Sequence, residues 1–138
     1  MIVNISSVFG IIGYPHQSAY NISKFGVRGL NESLRQELAS TGVTVCSVHP
    51  GGVKTNIVKN SRHYRDEAGV EDREVVARRF EKMAQTTAVQ AAATIADGMA
   101  KRAARILVGP DAYVIDAAAR SAPVHYPAIM KALLRRLS

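Results

Sequence analysis

Val43-Thr44-Val45-Cys46-Ser47-Val48, followed at once by His49-Pro50-Gly51-Gly52, is the stretch around which the rest of this 138-residue chain falls into order. It is too short for a helix and rich in β-branched residues, so it reads as a buried strand that His49-Pro50-Gly51-Gly52 breaks. Upstream, residues 19–39 carry Ile22, Phe25, Leu30, Leu34 and Leu38 on one side and Arg28, Glu32, Arg35 and Glu37 largely on another. That spacing predicts a helix, with Gly42 as its stop. Further upstream, Met1-Ile2-Val3-Asn4-Ile5 reads as a second buried strand, joined to the helix by a loop through Ser6, Ser7, Gly10, Gly13 and Pro15. Downstream, residues 55–85 are charged and weakly patterned, as a loop or short helices over the body of the protein would be. Thr87 and Gln90 then form a capping box that opens a helix carrying Ala92, Ile95, Met99 and Ala103. Arg105-Ile106-Leu107-Val108 reads as a third strand, ended by Gly109-Pro110, and two Ala/Leu-rich helical stretches follow, divided by Pro123 and Pro127. Strand, helix, strand, helix, strand predicts an α/β fold: parallel strands with right-handed crossovers and flanking helices, half of a doubly wound sheet.

Bulk properties bound the function. With 47% hydrophobic residues and no low-complexity tract, one folded domain over residues 1–138 is expected. The single cysteine excludes an internal disulfide framework and a Cys-based zinc site, which agrees with a cytoplasmic location; Cys46, within its apolar run, is expected in the core. No apolar run reaches the roughly 18 residues needed to cross a bilayer. The net charge of +7 comes from scattered cations without an aromatic or Gly-rich reading platform, so nucleic acid is not an expected partner. A buried strand that opens at residue 1 with no lead-in reads as a truncated product or an internal start.

Chemistry concentrates in three places. Tyr20 and Lys24, four apart, lie on one helical face, so an ammonium can approach a phenol; a nearby cation favours the charged form of such a group, which suits proton transfer. Ser7 follows the first strand, at the sheet end where ligands bind in open α/β folds, and its hydroxyl is expected to donate to a substrate oxygen, whereas Ser6 is read as a turn residue. After the second strand, Pro50-Gly51-Gly52-Val53-Lys54-Thr55 combines glycines that allow close approach to a ligand with amides and a Thr hydroxyl suited to a carboxamide or phosphate.

Ile2-Val3-Asn4-Ile5-Ser6-Ser7-Val8-Phe9-Gly10, Ser18-Ala19-Tyr20-Asn21-Ile22-Ser23-Lys24-Phe25-Gly26-Val27 and Val48-His49-Pro50-Gly51-Gly52-Val53-Lys54-Thr55 together resemble the short-chain dehydrogenase/reductase family, matching its Ser, Tyr-x-x-x-Lys and Pro-Gly motifs in order and spacing. The close match covers residues 1–55, and the element order extends it to about residue 110. The resemblance implies a partial Rossmann-like sheet, NAD or NADP as cofactor, and interconversion of a secondary alcohol and a ketone. Tyr20 is similar to the family's general acid and base, Lys24 to the residue that assists it and holds the nicotinamide ribose, and Ser7 to the residue that polarises the substrate carbonyl. Pro50, Gly51, Val53 and Thr55 match cofactor-binding positions, Val53 and Thr55 those beside the carboxamide and the neighbouring phosphate. It further implies a substrate lid over residues 56–85 and a homo-oligomer in the full-length form, packed through the first helix. The family's Gly-rich phosphate loop, its NAD/NADP-selecting residue, its Asn-Ala-Gly element and its tetrad Asn have no counterpart here, and Asn4 does not replace the last. The N-terminal half is therefore read as missing, and the isolated chain is expected neither to bind dinucleotide tightly nor to turn over.

His16, just before the first helix, is a candidate for the substrate pocket, while His49, His63 and His125 lack metal-ligand spacing, so no metal site is expected. Residues 124–138 form a basic amphipathic helix that either docks on the protein body or contacts an anionic membrane peripherally. A second class of function stays open: a catalytically silent fragment acting as an interaction or assembly module.

Overall fold

The computed structural model describes residues 1–62, 69–70 and 72–137. Its elements run β1 (Ile2–Ile5), a 3-10 turn (Val8–Gly10), α1 (Ser18–Glu37), β2 (Val45–Pro50), β3 (Val53–Lys54), α2 (Arg73–Met83), β4 (Thr86–Thr87), α3 (Ala88–Ala100), β5 (Arg105–Val108), α4 (Pro110–Ser121) and α5 (Tyr126–Leu137). The three main strands form one parallel sheet, as the alternation of elements predicts, and their order in it is β1-β2-β5. A further parallel pair, β3 with β4, has only two residues per strand, too few to leave a periodic trace in the sequence.

Side chains alternate across a strand, so the sheet has two faces, and here they differ in chemistry. Cys46 and Val48 of β2 with Ile106 and Val108 of β5 point to α3 and build an apolar core with Ala91, joined by Val3, Val53, Ile95 and Ala103. Cys46 is fully buried there, as expected, and burial pushes its thiol up from its ordinary range. The opposite face is mixed: beside Val45 and Leu107 it carries the polar Asn4, Ser47, His49 and Arg105. There the Asn4 side chain donates to Asn31 of α1 at 2.6 Å, and Arg105 and Arg120 both bind Asp116 of α4.

Those polar groups correct the predicted orientation of α1. Asn31 is the one buried residue of the helix; Arg28 and Arg35 are half-buried towards the sheet, Arg35 reaching the Ala104 carbonyl at 3.3 Å. Ile22 (73% exposed), Phe25 and Leu30 (53%) of the apolar stripe face outward instead. Two boundaries also differ. β2 continues through His49 and Pro50, because Pro50 stays in register with Val108 and the ladder closes only when the Gly51 amide donates to the Val108 carbonyl at 2.9 Å. Pro127 opens α5 instead of dividing helices, a position where a missing N–H costs nothing. Within the expected lid segment 56–85 stands α2, capped by Asp72, whose carboxylate accepts from Glu74 N at 2.8 Å and Val75 N at 3.3 Å; residues 63–68 and 71 of that segment, His63 among them, lie outside the described residues.

Candidate active site

In a parallel sheet all strands end on one side, and here Ser6-Ser7, Gly51-Gly52 and Gly109 follow the three strand ends. Ser6 does more than serve a turn. Its hydroxyl donates to the Lys24 carbonyl at 2.9 Å, tying the end of β1 to α1. Gly10 allows that closeness, since a Cβ there would stand 2.6 Å from the same carbonyl oxygen. Ser7 is buried and takes the turn role expected of Ser6: its Oγ accepts from the Phe9 amide at 3.1 Å and caps the 3-10 turn. An oxygen that accepts from an amide still has its own proton to give, so capping and donation to a ligand are compatible.

Tyr20 and Lys24 stand at the start of α1 and face this turn. The Lys24 Nζ lies over the Tyr20 ring, 5.4 Å from its centroid, and donates to the Ile5 carbonyl at 3.1 Å. The expected approach of ammonium to phenol is thus made through the ring face, with the cation held by the end of β1. Phe9 meets Tyr20 edge-on at 6.1 Å between centroids and stacks on Tyr14 at 4.7 Å. Ser7 therefore holds the Phe9 amide while Phe9 braces the Tyr20 ring, which brings Ser7, Tyr20 and Lys24 to one strand end. His16 is an exposed loop residue with a left-handed φ of 58°.

The Pro-Gly segment continues the same rim from β2. Val53 is half-buried against the α3-side core, and Thr55 is exposed with its Oγ1 turned to the Ile57 amide at 3.4 Å. Between this segment and Ala77, Phe80 and Glu81 of α2 opens a recess of about 210 Å³, lined by Lys54 and Thr55. Gly51 does not face open space: the volume its missing Cβ would occupy is filled by the carboxylate of Asp111.

Two contributors escaped the sequence reading. His49, weighed there only as a metal ligand, is 1% exposed and its Nδ1–H donates to the Ser7 carbonyl at 3.0 Å, linking β2 to the serine turn. Burial pushes its pKa down, which keeps the imidazole neutral. Asp111, in the first turn of α4, accepts from the Gly52 amide at 2.6 Å. The one trace of it in the sequence is an acid placed just after a strand-ending Gly-Pro.

Residues 1–66 match the family described as short chain dehydrogenase. The chain is 47% identical over 122 residues to a Mycobacterium tuberculosis protein named as an oxidoreductase, SadH, a match covering 86% of this chain and 43% of that protein. Among solved structures, a short-chain dehydrogenase/reductase from Burkholderia phymatum in complex with NAD superposes with a TM-score of 0.70 at 23% identity, over 87% of this chain and 46% of that one. A short-chain dehydrogenase from Sphingobium yanoikuyae in complex with NADPH gives a TM-score of 0.58 at 22% identity, over 77% and 36%. The chain spans less than half the length of each of these relatives.

Proposed function

Because this chain belongs to the short-chain dehydrogenase/reductase family, we propose that it carries the proton-transfer part of an NAD- or NADP-dependent oxidoreductase interconverting a secondary alcohol and a ketone. The observation that carries the reading is the joint anchoring of Tyr20 and Lys24 at the end of β1, through the Lys24 contact to the Ile5 carbonyl and the Phe9 brace. Tyr20 gives its proton to the carbonyl oxygen during reduction and takes one from the hydroxyl during oxidation. Ser7 donates to that same oxygen as charge develops on it. Lys24 spends one N–H on Ile5 and keeps two for ribose hydroxyls.

The donors at Ser7 after β1, Lys24 on α1 and Thr55 after β3 fit the nicotinamide riboside end of the cofactor, with Pro50, Gly51 and Val53 forming the wall between them. When bound, the nicotinamide supplies or accepts the hydride. Among the described residues no Gly-rich strand-to-helix turn of the kind that cradles a pyrophosphate occurs. The isolated chain accordingly binds dinucleotide weakly and does not turn over. Titration with NADH, followed by nicotinamide fluorescence and by the amide resonances of Val53 and Thr55, tests both points. Weak binding that moves these amides is expected; micromolar affinity would overturn the first point, and untouched amides at saturating NADH would overturn the cofactor reading.

The outward stripe of Ile22, Phe25 and Leu30 favours a second reading, in which the chain serves as an assembly module, and is equally suited to a homo-oligomer of the longer protein. For α5, docking on the body is supported by the Tyr126 hydroxyl, which accepts from the Gly13 amide at 3.0 Å. No described helix is long and apolar enough to cross a membrane, and co-sedimentation with anionic liposomes, with and without residues 124–138, separates docking from peripheral membrane contact.

A further inference from the structure

Three glycines from two separate turns close around one carboxylate. Gly51 and Gly52 leave β2 and Gly109 leaves β5; a Cβ on Gly51 or Gly109 would collide with an oxygen of Asp111, whereas one on Gly52 would be limited by Ala84 Cα at 3.2 Å and would only touch Asp111 Oδ2 at 3.5 Å. For Gly109 the backbone itself asks for glycine, at φ 93°. Gly51 lies outside the left-handed region, so no conformational demand explains it. A side chain is excluded there because both carboxylate oxygens and Cγ of Asp111 fill its place.

The carboxylate in turn holds the loop. Asp111 Oδ2 accepts from the Gly52 amide at 2.6 Å, a charge-assisted bond of the stronger class, while the Gly52 carbonyl accepts from Thr86 N at 3.4 Å. Gly52 is thereby gripped at both ends, and the second grip begins the β3–β4 pairing that carries Val53 and Lys54. Two consecutive glycines form the least restricted backbone a chain can have, so without such a grip the direction of the following residues would be lost. Oδ1 is buried and has no hydrogen-bond partner among the described residues, a cost that a merely ornamental acid at a helix start would not carry.

We infer that Asp111 is the positioning residue of the Pro50–Val53 turn, aiming β2 as it leaves the sheet so that Val53 and Thr55 face the nicotinamide end of the cofactor. The inference rests on the reading of Val53 and Thr55 proposed above. Its test uses the 138-residue chain, isotopically labelled, with Asp111→Ala and the conservative Asp111→Asn, whose side-chain oxygen can still accept from Gly52.

In Asp111→Ala the Gly52 amide should exchange with solvent about tenfold faster and lose the low-field shift of a short bond to a carboxylate, with partial recovery in Asp111→Asn. NADH should move the Val53 and Thr55 amides in the wild type and distinctly less in Asp111→Ala. Gly51→Ala should unfold or strongly destabilise the wild type, yet be tolerated in the Asp111→Ala background, because the colliding atoms are gone. Loss of a helix-start charge alone would instead spread its effect over the amides of α4 and leave Gly52 as it was. Unchanged Gly52 exchange in both variants, or equal damage from Gly51→Ala in both backgrounds, overturns the inference. If NADH moves no amide in the wild type, the cofactor reading fails and the aiming of Val53 and Thr55 at it falls too; the Gly52 and Gly51 measurements then still decide whether Asp111 holds the turn. Should Asp111→Ala fail to fold, Asp111→Asn decides through the same Gly52 signals.

Discussion

His49 shows how one side chain couples the candidate site to solution conditions. It is buried and neutral, with its Nδ1–H on the Ser7 carbonyl, and its folded pKa lies below the ordinary 6.5. The unfolded chain therefore binds a proton that the native state refuses, and stability is lost as pH falls below about 6.5 towards the folded value. Replacing His49 with Gln keeps a donor and removes the titration. Thermal melts between pH 7.5 and 5.5 should show a falling Tm in the wild type and a flatter one in His49→Gln; parallel curves would remove the histidine from this account. Tyr20 and Lys24 were legible in the sequence because their relationship is local, four positions on one helix. His49 and Asp111 were not, since their partners Ser7 and Gly52 lie 42 and 59 positions away and only the folded sheet brings them together.

Among the elements, α3 was the most legible, because its start is encoded by adjacent residues: Thr87 Oγ1 accepts from Gln90 N at 3.2 Å, and Gln90 Oε1 accepts from Thr87 N at 2.9 Å. Thr87→Ala should cost about 1 kcal/mol and lower the Tm by about 3 °C, measurable by calorimetry. An unchanged Tm would mean that packing against β5 alone sets the helix start. α1 was legible in extent but not in orientation. A hydrophobic stripe predicts burial only where the facing surface is apolar, and this helix meets Asn4, His49 and Arg105, so its charged and amide side turns inward while Ile22 and Leu30 turn out. The pair β3–β4 was invisible because two residues cannot display a period of two.

At the scale of the molecule, the parallel pairing of the strands follows from alternation, while their order and the inequality of the sheet's two faces do not. β1 is an edge strand with Ile2 and Ile5 exposed, and α1, which packs against it, exposes Ile22, Phe25 and Leu30. An open apolar edge next to an apolar helix face invites self-association. Sedimentation velocity across a concentration series should show species larger than a monomer, and Ile22→Lys with Leu30→Lys should reduce them; a monomer at every concentration would contradict this. The unequal faces have a further consequence, for how the strands find one another. A slippage of β2 by one residue would press Ser47 and His49 into the hydrocarbon around Ala91 and Ile95, and offer Cys46 and Val48 to the arginines on the far side. Either misalignment is opposed twice over, so a sheet of only three short strands tolerates a single pairing and rejects its neighbours.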